Sequence, residues 1–243
     1  MNEIEIFFET QIDEHQRIVK RCKDKLMDSF SNALEICVKS LKAKNKILFF
    51  GNGGSASDAQ HLSTELAVRF AKNRKAIPSL SLVTDTSALT AIGNDFGFDQ
   101  LFSRQIEAVG IENDVAIGIT TSGKSKNVLK GLEIAKQNGL KTIAFAGKYT
   151  DDLEKLCSQI ISIPASNTSR IQEMHIMFGQ MLCNAIEYKL GLSPLIKEEE
   201  WIYTYFMGEC KIMKGFLKSV YAYILIILFC FISVSCERKV SYL

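Results

Sequence analysis

Apolar and polar positions along this chain alternate between two periods. From residue 2 to 44 there is no Pro or Gly, and Ile18, Leu26, Phe30, Leu34, Val38 and Leu41 recur at helical spacing among charged residues, which predicts two helices. Short apolar runs then appear at 47–50, 80–83, 115–119, 142–146 and 160–163, each followed by a stretch of helical character. Runs this short, separated by helices, predict buried parallel strands in an α/β domain: a doubly wound parallel sheet flanked by helices. Ligands of such sheets bind outside the carboxyl ends of the strands. The last helix of this body is expected from about Ser169 to Leu190, stopped by Gly191.

Two strand ends carry unusual chemistry. Ile47-Leu48-Phe49-Phe50 runs into Gly51-Asn52-Gly53-Gly54-Ser55, and Val115-Ala116-Ile117-Gly118-Ile119 runs into Thr120-Thr121-Ser122-Gly123-Lys124-Ser125. A glycine turn lets backbone approach a ligand, and the helix that follows offers free N–H groups to an anion. One such loop alone reads equally as a simple connection with Ser55 or Ser57 as helix cap; two of the same design point to a phosphorylated or acidic small molecule. Neither loop has the spacing of a P-loop, and the first lacks the third glycine of the dinucleotide fingerprint, so a sugar phosphate is expected ahead of a nucleotide. On the helix leaving the first loop, His61 and Glu65 stand four apart and share a face, as a metal pair, a base pair or a polar stripe.

Charge and cysteine usage narrow the class. At 243 residues with a formal charge of +2, the chain can bury one substantial core and has no bias toward nucleic acid. Seven scattered cysteines without a Cys-x-x-Cys pair fit small buried hydrophobes in a reducing cytoplasm. Composition shifts after Pro194: Lys197-Glu198-Glu199-Glu200, an aromatic patch, three lysines, then an apolar run from Val220 to Val234 that ends in Ser235-Cys236. The segment from Met213 resembles a bacterial lipoprotein signal peptide, a feature that belongs at an N-terminus. A neighbouring reading frame joined to a complete enzyme and a C-terminal membrane anchor are the two accounts of it. The division expected is a domain over 1–192 and an appended tail over 193–243, with membrane contact only through the tail.

With Arg170-Ile171-Gln172-Glu173-Met174-His175 the motifs form a set. Gly51 to His61 with Glu65, Thr84 to Asp95, Thr121 to Asn127 and Arg170 to His175 make residues 1–192 resemble the phosphoheptose isomerases of the sugar isomerase (SIS) domain superfamily. The resemblance implies a homotetramer with active sites between subunits. It also implies interconversion of sedoheptulose 7-phosphate and D-glycero-D-manno-heptose 7-phosphate for surface-polysaccharide heptose, lipopolysaccharide or capsule. By the same resemblance Asn52, Gly53, Gly54 and Ser55 line the substrate and Asn94 and Asp95 meet sugar hydroxyls. Thr120, Thr121, Ser122 and Ser125 hold the phosphate, and Glu65 is the base. His61, Glu65, Gln172 and position 180 match zinc ligands, and position 180 also matches a catalytic residue. That position is usually histidine in the family and is Gln180 here; a neutral amide coordinates through oxygen and does not donate and recover a proton as imidazole does. His175 lies about 140° around the helix from position 180 and is expected to pack elsewhere. His15, in the first helix, has a surface role or comes from another subunit. The superfamily also contains noncatalytic sugar-phosphate sensors and a replication-initiator-binding protein, which is the alternative function.

Overall fold

The computed structural model describes residues 1–70 and 72–194. The expectations for the apolar run and the lipoprotein-like segment fall outside these residues. Among the described residues no helix is long and apolar enough to cross a membrane.

Two helices open the chain, α1 (Glu3–Lys25) and α2 (Met27–Lys42). The first starts at a capping box in which Asn2 and Glu5 satisfy one another's backbone N–H groups. Then come β1 (Ile47–Gly51), α3 (Gly54–Ala67), β2 (Ser79–Ser81), α4 (Thr86–Asp95), a single 3₁₀ turn (Phe98–Gln100), and α5 (Ser103–Val109). The second half comprises β3 (Val115–Thr120), α6 (Lys126–Gln137), β4 (Lys141–Ala146), the short α7 (Asp151–Glu154), β5 (Gln159–Ser162) and α8 (Thr168–Lys189). All strand pairs are parallel, in the order β2-β1-β3-β4-β5. The chain therefore starts in the middle of the sheet and winds outward both ways, so the crevice between β1 and β3 is the point where the direction of winding reverses.

Alternation along the strands sorts the core into two layers. Ile47, Phe49, Ile117, Ile143, Phe145 and Ile161 face α2, α3 and α8, while Leu48, Phe50, Ala116 and Ala144 face α5 and α6. Both faces are covered, which is why β1 and β3 are buried at every position and read in sequence as unbroken apolar runs. At the edge the reading differs. The second strand spans Ser79–Ser81 instead of 80–83: after Leu82 N donates to Phe49 O at 2.9 Å the chain turns, held by Thr84 Oγ1 donating to Ser81 O at 2.9 Å. Leu80, with only one neighbouring strand, is 39 % exposed.

Candidate active site

The two glycine loops lie side by side at the carboxyl ends of adjacent strands, since Gly51 pairs in register with Ile119. A Cβ on Gly51 would stand 2.8 Å from the Ile119 carbonyl oxygen, so the crossing of the two loops requires glycine there. Gly53 has φ +56° and serves as the N-cap of α3 without a side chain to offer. On the second loop, Ser125 is the N-cap of α6 but makes no capping bond; its hydroxyl instead lies 3.2 Å from that of Thr120. By contrast α1, α4 and α8 are capped by the side chains of Asn2, Asp85 and Asn167. The two helices that start at the crevice, α3 and α6, both lack a side-chain cap on the N-cap residue, as do α2, α5 and α7 elsewhere. At α3 the N–H groups of Ser55 and Ala56 already donate to Asn52 O and Gly53 O at 3.0 Å, so the start of α6 is the freer of the two for an anion.

Around these helix starts the expected phosphate residues divide by role. Thr120 is buried, Thr121 and Ser125 are half-buried, and the exposed Ser122 hydroxyl accepts from Lys124 N at 3.1 Å. Gly123 has φ +68° and would place a Cβ against the Tyr149 carbonyl oxygen, so the turn also fixes the following loop. Lys124 projects its Nζ to 5.4 Å from the Tyr149 ring centroid, a cation–π distance.

Asn52 behaves differently from a free ligand group. Its amide exchanges two 2.8 Å hydrogen bonds with the amide of Asn127, which is 2 % exposed, and Asn127 Oδ1 also accepts from Val128 N. This amide pair ties the first loop to the start of α6. Asn127 lies inside a motif quoted for the resemblance, yet a lone Asn after a Ser/Lys loop carries no sequence mark of such a partner. Asn94 and Asp95 sit at the end of α4, exposed, with Asn94 Nδ2 donating to Asp95 Oδ1 at 2.7 Å. Among the described residues no hydrogen bond brings them to either loop.

The expected base, Glu65, and the neighbouring ligand candidates come from α3 and α8. His61 Nε2 lies 3.0 Å from Glu65 Oε1 and 2.9 Å from Gln180 Nε2. Gly179 makes this possible: a Cβ there would be 2.6 Å from Leu62 Cδ1, so the helices approach to the limit of what a glycine permits. Gln172, from the first turns of α8, lies against Gly54, whose added Cβ would meet Gln172 Nε2 at 2.6 Å. The crevice therefore has the α3 start on one side and the α8 amides on the other. Burial raises the Asp58 carboxyl above its usual range, His61 offsetting part of the shift.

A divalent cation is chemically at home in this corner. One imidazole nitrogen faces a carboxylate oxygen and a terminal amide at once, and it cannot satisfy both as written: as N–H it meets the amide's N–H groups, and as a bare nitrogen it meets the carboxylate. Turning the Gln180 amide over presents its oxygen instead, so that a carboxylate oxygen and an amide oxygen both lie within 3.0 Å of one ring nitrogen. His nitrogen, carboxylate oxygen and amide oxygen form a donor set suited to a borderline dication. Among the described residues no group of three or more His, Cys, Asp or Glu converges, so a metal would depend on the glutamine oxygens.

The remaining histidines lie away from this corner. His175 is wholly buried with its ring centroid 6.0 Å from that of Phe145, and burial pushes its pKa down to about 4, the nearby Ala146 backbone offsetting part of the effect. It lies in the core, as its position around α8 predicts, and does not reach the Gln180 corner. His15 Nδ1 pairs with Glu173 Oε2 at 2.7 Å. Arg170, the first residue of the last motif, is 8 % exposed and donates to Gln11 O and Oε1 at 3.1 and 2.9 Å while pairing with Glu173 at 3.1 Å. Arg170 and Glu173 therefore fasten α8 to α1.

The family model described as SIS domain matches residues 11–147. A phosphoheptose isomerase of Nitratiruptor sp. is 48 % identical over 179 residues, which is 74 % of this chain and 96 % of that protein. The chain belongs to the phosphoheptose isomerases of the SIS-domain family. One from Paramagnetospirillum magneticum is 49 % identical over 181 residues, 74 % of this chain and 94 % of that one. Among solved structures, the phosphoheptose isomerase of Neisseria gonorrhoeae superposes with a TM-score of 0.71 at 35 % identity, covering 76 % of this chain and 98 % of its own. In this family setting the shared stretch contains both glycine loops and the whole of α3.

Proposed function

We propose that this chain is an aldose–ketose isomerase that interconverts sedoheptulose 7-phosphate and D-glycero-D-manno-heptose 7-phosphate, supplying heptose for bacterial surface polysaccharide. The observation that carries the reading is the placement of Glu65, 21 % exposed, on the helix that begins at the first glycine loop. The sugar's phosphate sits at the Thr120–Ser125 loop, where the uncapped start of α6 and the hydroxyls of Thr120, Thr121, Ser122 and Ser125 donate to it. The carbonyl end then extends toward Asn52, Gly53, Gly54, Ser55 and Gln172.

Glu65 takes a proton from C1 of the ketose, and the electron pair moves into a C1–C2 double bond with charge developing on O2. The same carboxylic acid returns the proton to C2. Between these events O1 loses its proton and O2 gains one, which yields the C1 aldehyde and the C2 hydroxyl. With a neutral amide at 180, the exchange between O1 and O2 passes through water or substrate hydroxyls. Zinc, held by His61, Glu65 and the side-chain oxygens of Gln172 and Gln180, would polarise the carbonyl and hydroxyl oxygens when bound.

A homotetramer belongs to the same reading. Ile4, Phe7, Phe8 and Ile12 on α1 are 75, 63, 65 and 44 % exposed at helical spacing, an apolar stripe that a further subunit would cover. Asn94 and Asp95, exposed and not hydrogen-bonded to the loops of their own chain, would then complete a neighbour's site. A cytoplasmic enzyme, with membrane contact only through the tail, is the compartment this chemistry fits.

The second reading, a noncatalytic sugar-phosphate binder, is favoured by one residue, Gln180. Full-length protein incubated with sedoheptulose 7-phosphate, with and without zinc, separates the two by the anomeric NMR signals of the aldose. Their appearance supports the isomerase, and saturable binding without them supports the binder.

A further inference from the structure

Between α8 and the loop that joins α3 to β2 lies a buried ion pair that the proposed chemistry leaves without a task. Arg74 Nε donates to Glu187 Oε1 at 2.6 Å, and the two side chains are 2 and 1 % exposed. The rest of the guanidinium collects the carbonyl end of α3: Nη2 donates to Glu65 O at 2.7 Å and Nη1 to Leu66 O at 2.8 Å, with Lys75 O at 3.1 Å. Glu187 Oε1 also accepts from Phe70 N at 3.0 Å. A helix end otherwise leaves such carbonyls without partners, and Arg74 supplies a cation at the negative end of the helix dipole.

The position of this knot matters more than its strength. Glu187 is seven residues beyond Gln180, two turns along the same face of α8, and Glu65 is one turn beyond His61 on α3. The interface of the two helices is thereby fastened at two places. At one, Leu62 meets Gly179 and His61 meets Gln180; at the other, the Glu65 carbonyl is tied through Arg74 to Glu187. A buried ion pair contributes little net stability compared with apolar residues of the same volume. What it does supply is directional: a planar fork with fixed bond vectors sets the axial register of α3 against α8.

We infer that Arg74 and Glu187 are positioning residues that hold the His61–Glu65 face of α3 in register with Gln172 and Gln180 on α8. The inference rests on the proposed isomerase reading for its consequence in turnover, and its structural part stands apart from it. Neither residue touches substrate, and both act through the backbone of the helices that carry the reacting groups.

The test uses full-length protein with two variants, Glu187→Gln and the paired Arg74→Met/Glu187→Leu. Removing both charges together avoids a lone buried ion, and a cooperative urea transition identifies the folded variant. Two readouts apply: kcat and KM for sedoheptulose 7-phosphate, and the ¹⁵N and ¹H shifts of the His61 ring, assigned with a His61→Gln control. The expected result in the folded double variant is a fall in kcat of roughly 10–100-fold, with KM moving less than about threefold, together with displaced His61 ring signals. A kcat within about twofold and an unchanged His61 spectrum in that variant would overturn the inference and leave the pair a purely structural contact. If the unmodified protein shows no turnover, the isomerase reading falls, and the His61 spectrum alone decides whether the register depends on the pair.

Discussion

Gly179 on α8 faces Leu62 on α3 so closely that a single added methyl group would lie 2.6 Å from Leu62 Cδ1. Because Gln180 and His61 are the next residues along each helix, this contact sets the distance between the two sides of the candidate active site. Gly179→Ala should cost about 1–3 kcal/mol in urea unfolding through overpacking, and should lower turnover through the displaced Gln180 side chain. Retained stability and turnover would show that Leu62 yields without moving the helices.

Glu65→Gln removes the proposed proton acceptor while keeping shape and hydrogen-bonding capacity. Turnover should fall by about 10²–10⁴-fold with substrate binding retained, as read by NMR assay and calorimetry. An undiminished rate would remove Glu65 from its role.

Restoring imidazole at position 180 tests the departure from the family pattern directly. Gln180→His places a titratable ring within reach of the His61–Glu65 pair, and turnover should rise at least about tenfold with an added pH dependence near neutrality. An unchanged rate and pH profile would mean that proton exchange between O1 and O2 does not depend on this residue.

His175 gives a stability prediction with a defined sign. Its folded pKa is about 4, below the ordinary value of about 6.5, so the unfolded chain binds a proton that the folded chain refuses. This residue takes nothing from stability above about pH 6.5; its contribution falls as pH drops from there and levels off below about 4. Between about pH 7.5 and pH 5 the loss is about 2 kcal/mol in urea unfolding. His175→Leu should remove that component of the pH dependence, and an identical slope in the variant would contradict the assignment.

The fold was legible because both layers of the core leave a mark in sequence: β1 and β3 are buried on both faces and appear as unbroken apolar runs. Edge strand β2 was misplaced by a residue or two since Leu82 still bonds to Phe49 while the chain is already turning. At the site, the loops and the His61/Glu65 spacing were readable, as local features are. Asn127, Gly179 and Arg74 were not, because each acts on a residue distant in the chain. Asn127 holds Asn52 across 75 positions and Arg74 holds Glu187 across 113, and no local pattern encodes such pairings. By the resemblance Asn52 lines the substrate; its amide also pairs with Asn127, which uses one of its N–H groups and one lone pair.

In the proposed reaction Glu65 moves a proton between C1 and C2 of a phosphorylated ketose. The most direct measurement is ¹H NMR of full-length protein with sedoheptulose 7-phosphate in D₂O, following both aldose formation and deuterium at the carbons next to the carbonyl. The expected product is D-glycero-D-manno-heptose 7-phosphate carrying deuterium at C2, with product and label both slowed by about 10²–10⁴-fold when Glu65→Gln replaces the unmodified protein. Folded, substrate-binding protein that gives no product and no exchange, with or without zinc, would contradict this reaction and leave a sugar-phosphate binder.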